Sequence, residues 1–156
     1  MKALSTLAMT GLLVGVVTCS VVQAQSKKVE RSQLPPAVEK TVVAESKGAV
    51  VRRFSTEVED GKRVYEAALT FDGHARVLEI DEQGNLLETE DEVSLASVPP
   101  DVKAALTKAA GKGTITKVET LTKKGKLVAY EADVKTGTKR SEIQVSPDGK
   151  KLAHPE

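Results

Sequence analysis

An internal repeat is the feature that most constrains how this chain can fold. The segment Leu34–Val38 recurs 64 residues later as Val98–Val102, with a Pro-Pro pair at the same place in each. Tyr65–Ala67 recurs as Tyr130–Ala132 at an offset of 65. The one-residue slip falls beside a predicted turn, where insertions are cheapest. Matches in a single order with one slip predict two duplicated modules.

The N-terminus has the pattern of a secretory signal peptide. Lys2 is followed by an uncharged, largely apolar stretch that ends in small residues, which predicts cleavage after Ala24 and a signal peptide over 1–24. Two alternatives remain, which are lipidation of Cys19 and an uncleaved segment that anchors the chain. We therefore expect a periplasmic or secreted protein, attached to a membrane only through one of these alternatives.

Cysteine and charge exclude several classes of function. After cleavage the chain would hold no cysteine, which excludes disulfides, a thiol nucleophile and cysteine metal ligands. Residues 34–97 carry 7 Lys and Arg against 14 Asp and Glu, whereas residues 98–156 carry 12 against 7. Opposed halves argue against a nucleic-acid-binding protein, which would present a coherent basic face. They suit modules that attract each other or a polar partner.

Each copy predicts a helix followed by strands. The Pro-Pro pairs suit a first helical turn, and Val102, Ala105 and Leu106 recur at helical spacing. The spacing then changes to strict alternation, as in Tyr65, Ala67 and Leu69, which predicts an antiparallel sheet with one apolar face.

The fold class predicted is therefore α+β, with two tandem α-β-β-β(-β) modules, each a helix packed on one face of an antiparallel sheet. The predicted boundaries are a disordered linker at 25–33, a first module at 34–92, a linker at 93–97 and a second module at 98–156.

The turn and strand motifs resemble those of the PepSY family. They are Gly61-Lys62, Tyr65-Glu66-Ala67 and Gly84-Asn85-Leu86 in the first copy, and Gly125-Lys126, Tyr130-Glu131-Ala132 and Asp148-Gly149-Lys150 in the second. A tandem pair after a signal peptide is also similar to the β-lactamase-inhibitor-like group of small periplasmic proteins. This resemblance implies non-enzymatic modules that bind or inhibit another protein through the exposed sheet face. An exported peptidase or another hydrolase is the partner class implied.

Groups suited to catalysis or to metal binding are few. His74 lies in a predicted turn and His154 in the C-terminal tail, where no rigid shell would hold them for acid–base chemistry. The acidic run Glu88, Glu90, Asp91 and Glu92 lacks the spacing of a calcium loop, and we interpret it as a solvated linker. We therefore predict no enzyme, no cofactor and no metal.

The polar faces of the predicted sheets are the candidate partner-binding surface. Few aromatic residues lie on them, which argues against sugar or single-stranded nucleic-acid binding. The simpler interpretation is a solvated face, which an antiparallel sheet tolerates. The candidate residues are Arg53, Glu66, Thr70, Glu79, Lys117, Glu119, Glu131, Asp133 and Glu142.

The sequence thus predicts an exported, non-enzymatic PepSY-like protein that binds another protein or inhibits a hydrolase. The alternative is a structural or sensory component of the cell envelope that self-associates through its oppositely charged modules.

Overall fold

The structure is a computed structural model that describes residues 26–59, 61–152 and 154–156. The predicted signal peptide, its cleavage after Ala24 and the lipidation alternative at Cys19 lie outside these residues. Within them, no helix combines the length and the apolar character needed to cross a membrane.

The described residues form a single eight-stranded antiparallel sheet in which every strand lies beside its neighbours in the sequence. Two helices interrupt the strands, and a short 3₁₀ turn at Arg31–Gln33 precedes the first helix. In chain order the elements are β1 (Lys27–Val29), α1 (Pro36–Glu45), β2 (Val50–Glu59), β3 (Lys62–Phe71), β4 (His74–Asp81), β5 (Leu86–Glu92), α2 (Pro100–Ala110), β6 (Thr114–Lys123), β7 (Lys126–Thr136) and β8 (Lys139–Val145).

The predicted fold class is wrong, because the two halves share one sheet instead of each having its own. Strand β5 pairs with β4 on one side and with β6 on the other, in a register that runs from Glu88 opposite Lys123 to Glu92 opposite Glu119. An edge strand leaves a row of backbone groups unpaired, and joining β5 to β6 removes two such edges. The result is a fold dominated by its sheet.

Two predicted linkers also contain strands. The acidic run interpreted as a solvated linker lies in β5, near the middle of the sheet. Residues 25–33 are predicted to be disordered, but Lys27–Val29 pair with β2 and cover its outer edge. Val29 packs against the neighbouring hydrophobic cluster, which gives this short strand an anchor. Other module boundaries remain predictions.

Both helices cover the same face of the sheet. Each begins with a proline, at Pro36 and at Pro100, where the missing N–H has no intrahelical partner. Val38 of α1 packs on a cluster that includes Leu78, and Leu106 of α2 packs on one that includes Tyr130. The strand register places both clusters on one side of the sheet. The opposite side is the polar one.

Glycine turns fix the first turn of each helix to the sheet. Gly84 has a φ of +83°, and a Cβ added there would lie 2.6 Å from the carbonyl oxygen of Ala37. The hydroxyl of Thr41 donates to the carbonyl of Gly84 at 2.5 Å. Gly149 approaches Asp101 in the second half in the same way, with an added Cβ 2.7 Å from its backbone. Only glycine fits these contacts without displacing a helix.

Candidate functional site

The face of the sheet opposite the helices forms a broad trough, which we call the acidic trough. Its volume is about 890 Å³, and its residues come from β2 through β8 and from the C-terminal segment. The trough is lined by Glu57, Glu59, Glu66, Glu79, Leu87, Glu88, Glu90, Lys117, Glu119, Leu121, Lys123, Lys124, Glu131, Asp133, Glu142, Gln144 and Glu156. Among the described residues, no helix covers it.

Strand register places like charges directly opposite one another in this trough. Glu66 of β3 lies opposite Glu79 of β4, which in turn lies opposite Glu88 of β5. Directly opposed like charges destabilise a sheet, because their side chains come within about 5 Å.

A second acidic row crosses the other half. Glu92 of β5 lies opposite Glu119 of β6, and Glu119 lies opposite Glu131 of β7. Side-chain packing does not explain a glutamate at each of these positions.

Among the described residues, lysines balance part of this negative charge. Lys123 lies 3.3 Å from a carboxylate oxygen of Glu88, and Lys117 lies 2.5 Å from one of Glu119. The carboxylate of Glu119 is almost wholly buried. The Oε1 atom of Glu119 has no hydrogen bond of good geometry, but its short ion pair with Lys117 balances its charge. The lysines therefore hold two of the most buried carboxylates.

Neutral donors hold two further carboxylates. The amide of Gln144 donates to Glu131 at 2.7 Å, and the hydroxyl of Ser55 donates to Glu66. These contacts orient the two side chains in the acidic rows without adding positive charge.

Burial and crowding make several of these carboxyls hard to ionise. Burial, followed by the charges of neighbouring glutamates, raises the pKa of Glu79 to about 8. The same two causes raise the pKa of Glu90 to about 8 and that of Glu57 to about 7. Burial also raises the pKa values of Glu119 and Glu131. The trough therefore holds exchangeable protons near neutral pH.

All nine residues predicted to bind a partner lie on this face. Seven of them line the trough, and the two exceptions are Arg53 and Thr70. Arg53 is exposed and lies opposite Ala68, while Thr70 accepts a hydrogen bond from Arg52 at 2.9 Å. The structure thus gathers most of the predicted residues into one site.

The sequence analysis missed several residues of the trough. Glu88 and Glu90 alternate with Thr89 in a run interpreted as a linker, although this spacing of two is the signal of a strand. Glu57 and Glu59 alternate in the same way at the end of β2. Each would have been found by extending the neighbouring strand pattern through the charged residues.

One group of carboxylates in the trough has ligands suited to a hard cation. Oxygen atoms of Glu57, Glu59 and Glu79 all lie within 4.8 Å of one another. Calcium takes roughly six to eight oxygen ligands, and three carboxylates fall short of that number. We do not assign a metal site to this group. His74 and His154 both lie exposed.

Comparisons with known proteins reveal similarity of fold. No protein-family model matches the chain, and no curated protein matches it. A BLIP-like protein from Bacteroides fragilis is 22% identical, with a TM-score of 0.55 over 74% of this chain and 81% of that one. A candidate periplasmic protein from Bacteroides eggerthii is 15% identical, with a TM-score of 0.62 over 75% of this chain and 84% of that one.

A DUF2874 family protein from Bacteroides ovatus is 17% identical, with a TM-score of 0.59 over 76% of this chain and 84% of that one. At these identities the likeness extends to the fold alone. The tandem PepSY resemblance stays a prediction.

Proposed function

We propose that this chain is an exported, non-enzymatic protein that binds another protein through the acidic trough. The observation that carries the proposal is the trough itself, which spans seven strands and lies opposite both helices. A solvated sheet face needs no row of partly buried glutamates, and each of these carboxyls costs stability where it stands. Such a cost is expected where side chains are kept for binding.

Charge gives the chemistry of the partner. Eleven Asp and Glu side chains line the trough against three Lys. A partner surface that presents Lys or Arg would complement this charge and would raise the rate of encounter through electrostatic attraction. An ammonium or guanidinium entering beside Glu79 or Glu90 would also favour their ionised forms. Binding would therefore release protons near neutral pH.

The partner class we propose is an exported peptidase or another hydrolase, which the chain would restrain. The resemblance to the β-lactamase-inhibitor-like group supports this, as does the similar fold of a protein described as BLIP-like. A location in the periplasm is supported by the N-terminal pattern and by a neighbour described in those terms. The exposed positions of His74 and His154 support a role without catalysis.

The test is capture of envelope proteins by the purified chain, compared between two triple variants. The first variant, E66Q/E79Q/E131Q, removes three titratable carboxyls from the trough and keeps the shape of each side chain. The matched control, E45Q/D72N/D101N, removes three carboxyls from exposed positions outside the trough.

We expect the wild type and the control to retain the same partner, and the trough variant to lose it. Captured hydrolases are then assayed with and without the chain. Equal capture by all three proteins, or no capture by any, would contradict the proposal.

A further inference from the structure

The outer edge of β8 is exposed over residues 139–142, although the matching edge in the first half is covered. At its other end the C-terminal segment lies beside β8, since the N–H of Glu156 donates to the side-chain oxygen of Gln144 at 2.8 Å. Strand β5 covers the edge of β4, beginning where Leu86 pairs with Ile80. At an offset of 65 residues, Lys151 pairs with Val145 as an isolated bridge. Within residues 26–59, 61–152 and 154–156, no other pairing continues along β8. In the first half a full strand, β5, thus covers the edge of β4, whereas among the described residues of the second half a single bridge takes its place.

The exposed stretch of this edge, residues 139–142, offers four backbone hydrogen-bonding groups. The N–H of Ser146 points away from β7, because it donates to the carbonyl of Lys150 at 2.9 Å. Backbone groups alternate in direction along an antiparallel strand. The N–H and C=O of both Glu142 and Arg140 therefore also point outward. Unpaired groups of this kind are a template for another strand.

The side-chain charges of β8 would be complementary if two β8 strands paired antiparallel. An antiparallel copy of β8 centred on Ser141 would place Arg140 opposite Glu142, twice by symmetry. Within the chain, by contrast, each faces a like charge, since Arg140 lies opposite Lys135 and Glu142 lies opposite Asp133. A second copy would place an opposite charge beside each of these two side chains. The four outward backbone groups would pair in the same register.

An apolar groove lies beside this edge, on the face that carries the helices. Its volume is about 810 Å³, and Ala105 and Ala109 of α2 and Ile143 of β8 line it. In the register centred on Ser141, Lys139 of a second copy would lie opposite Ile143. The aliphatic stem of Lys139 can cover Ile143 while its ammonium stays in water.

We propose that two copies of this chain pair through their β8 strands, antiparallel about Ser141, so that their sheets join into one. The partner is a second copy because β8 matches itself in both backbone direction and charge. Two-fold pairing of this kind closes on itself and gives a dimer instead of a fibre. Glu142 also lines the acidic trough, whereas the other ten acidic residues of the trough lie outside β8, so each copy keeps most of its trough carboxyls free in the dimer.

A charge swap across the proposed pair tests it. Dissociation constants are measured by sedimentation of the purified chain and of R140E, E142R and R140E/E142R. Each single variant replaces two attractive pairs with two repulsive ones, and we expect the dimer to weaken by about tenfold or more. The double variant restores opposite charges, and we expect its dissociation constant to return to the wild-type value.

The stability of the monomer distinguishes a folding defect from the loss of the interface. Each single change creates an attractive pair inside the chain, with Lys135 or with Asp133, so monomer stability should hold or rise. The control is K62E, on the exposed start of β3, which should leave the dimer unchanged. A wild-type chain that is monomeric at every concentration would overturn the proposal. So would a dimer that neither single variant weakens.

Discussion

The ammonium of Lys123 on β6 lies 3.3 Å from a carboxylate oxygen of Glu88 on β5. Glu88 belongs to the acidic half of the chain and Lys123 to the basic half, and they lie opposite each other where the two halves join. Burial raises the pKa of Glu88, and the charge and hydrogen bond of Lys123 oppose that rise. Part of the opposite charge of the two halves therefore forms an ion pair within a single molecule.

Replacing Lys123 with Met should destabilise the fold, because the buried carboxylate of Glu88 would lose its partner. We expect the free energy of unfolding to fall by about 1–3 kcal/mol, as when a buried polar group is left unsatisfied. Urea denaturation measures this change. The double variant E88Q/K123M, which removes the charge of both residues, should recover most of the loss. Unchanged stability in K123M would show that the pair does not hold the two halves together.

Truncations in the two hydrophobic clusters should affect one shared unfolding transition. Leu78 of β4 and Leu106 of α2 belong to different clusters and are 1% and 0% exposed. Replacing either with Ala should cost about 2–5 kcal/mol. Because the halves share a sheet, we expect each variant to shift a single transition seen by both circular dichroism and calorimetry. Two resolved transitions, with only one shifted by each variant, would favour separate modules.

Replacing Gly84 with Ala should disturb the contact between the β4–β5 turn and α1. The added Cβ would lie 2.6 Å from the carbonyl oxygen of Ala37, which is a steric clash. The positive φ of this residue adds a second, conformational cost. Gly61 is the matched control, since its φ is +75° and nothing lies within 4 Å of an added Cβ. We expect G61A to cost about 1–2 kcal/mol and G84A clearly more. Equal losses in thermal denaturation would contradict the close contact.

Stability should fall as the pH rises through neutrality. The pKa of Glu79 is raised to about 8, above its ordinary value of 4.5, so the folded state binds more protons than the unfolded state between these values. Ionising this carboxyl near pH 8 opposes folding, whereas at pH 5 it is protonated in the folded state. Together with Glu90, whose pKa is also about 8, this should lower the Tm by about 5 °C or more from pH 5 to pH 8.

The control for this pH dependence is E79Q, which keeps the shape of the side chain and cannot ionise. Its Tm should fall less between the two pH values than that of the wild type. A wild-type Tm that is constant or rises over this range would contradict the raised pKa values.

Local patterns were sufficient to predict the helices and most of the strands. The alternation of Tyr65, Ala67 and Leu69 placed these residues on the apolar face, and all three are buried. The joining of β5 to β6 was missed because strand pairing depends on distant partners, and a strand of alternating glutamates lacks the apolar signal that marks a buried strand. The predicted separate sheets failed for this reason.

The sequence predicted which face of the sheet carries the candidate site, but not how deeply its carboxylates are buried. Alternation alone placed Glu66 and Glu131 on the polar face. The side chain of Glu119 is only 5% exposed, and that burial arises from neighbouring strands and from Lys117. Raised pKa values follow from such burial, so no local pattern reveals them.

Site-specific photo-crosslinking in cells tests most directly whether the acidic trough is the binding face. A photoreactive residue is placed at Asp133, which lines the trough, and in a second strain at Lys40, which is exposed on α1. We expect a crosslinked partner from position 133 and none from position 40. Crosslinks of equal yield from both positions, or from position 40 alone, would contradict binding through the trough.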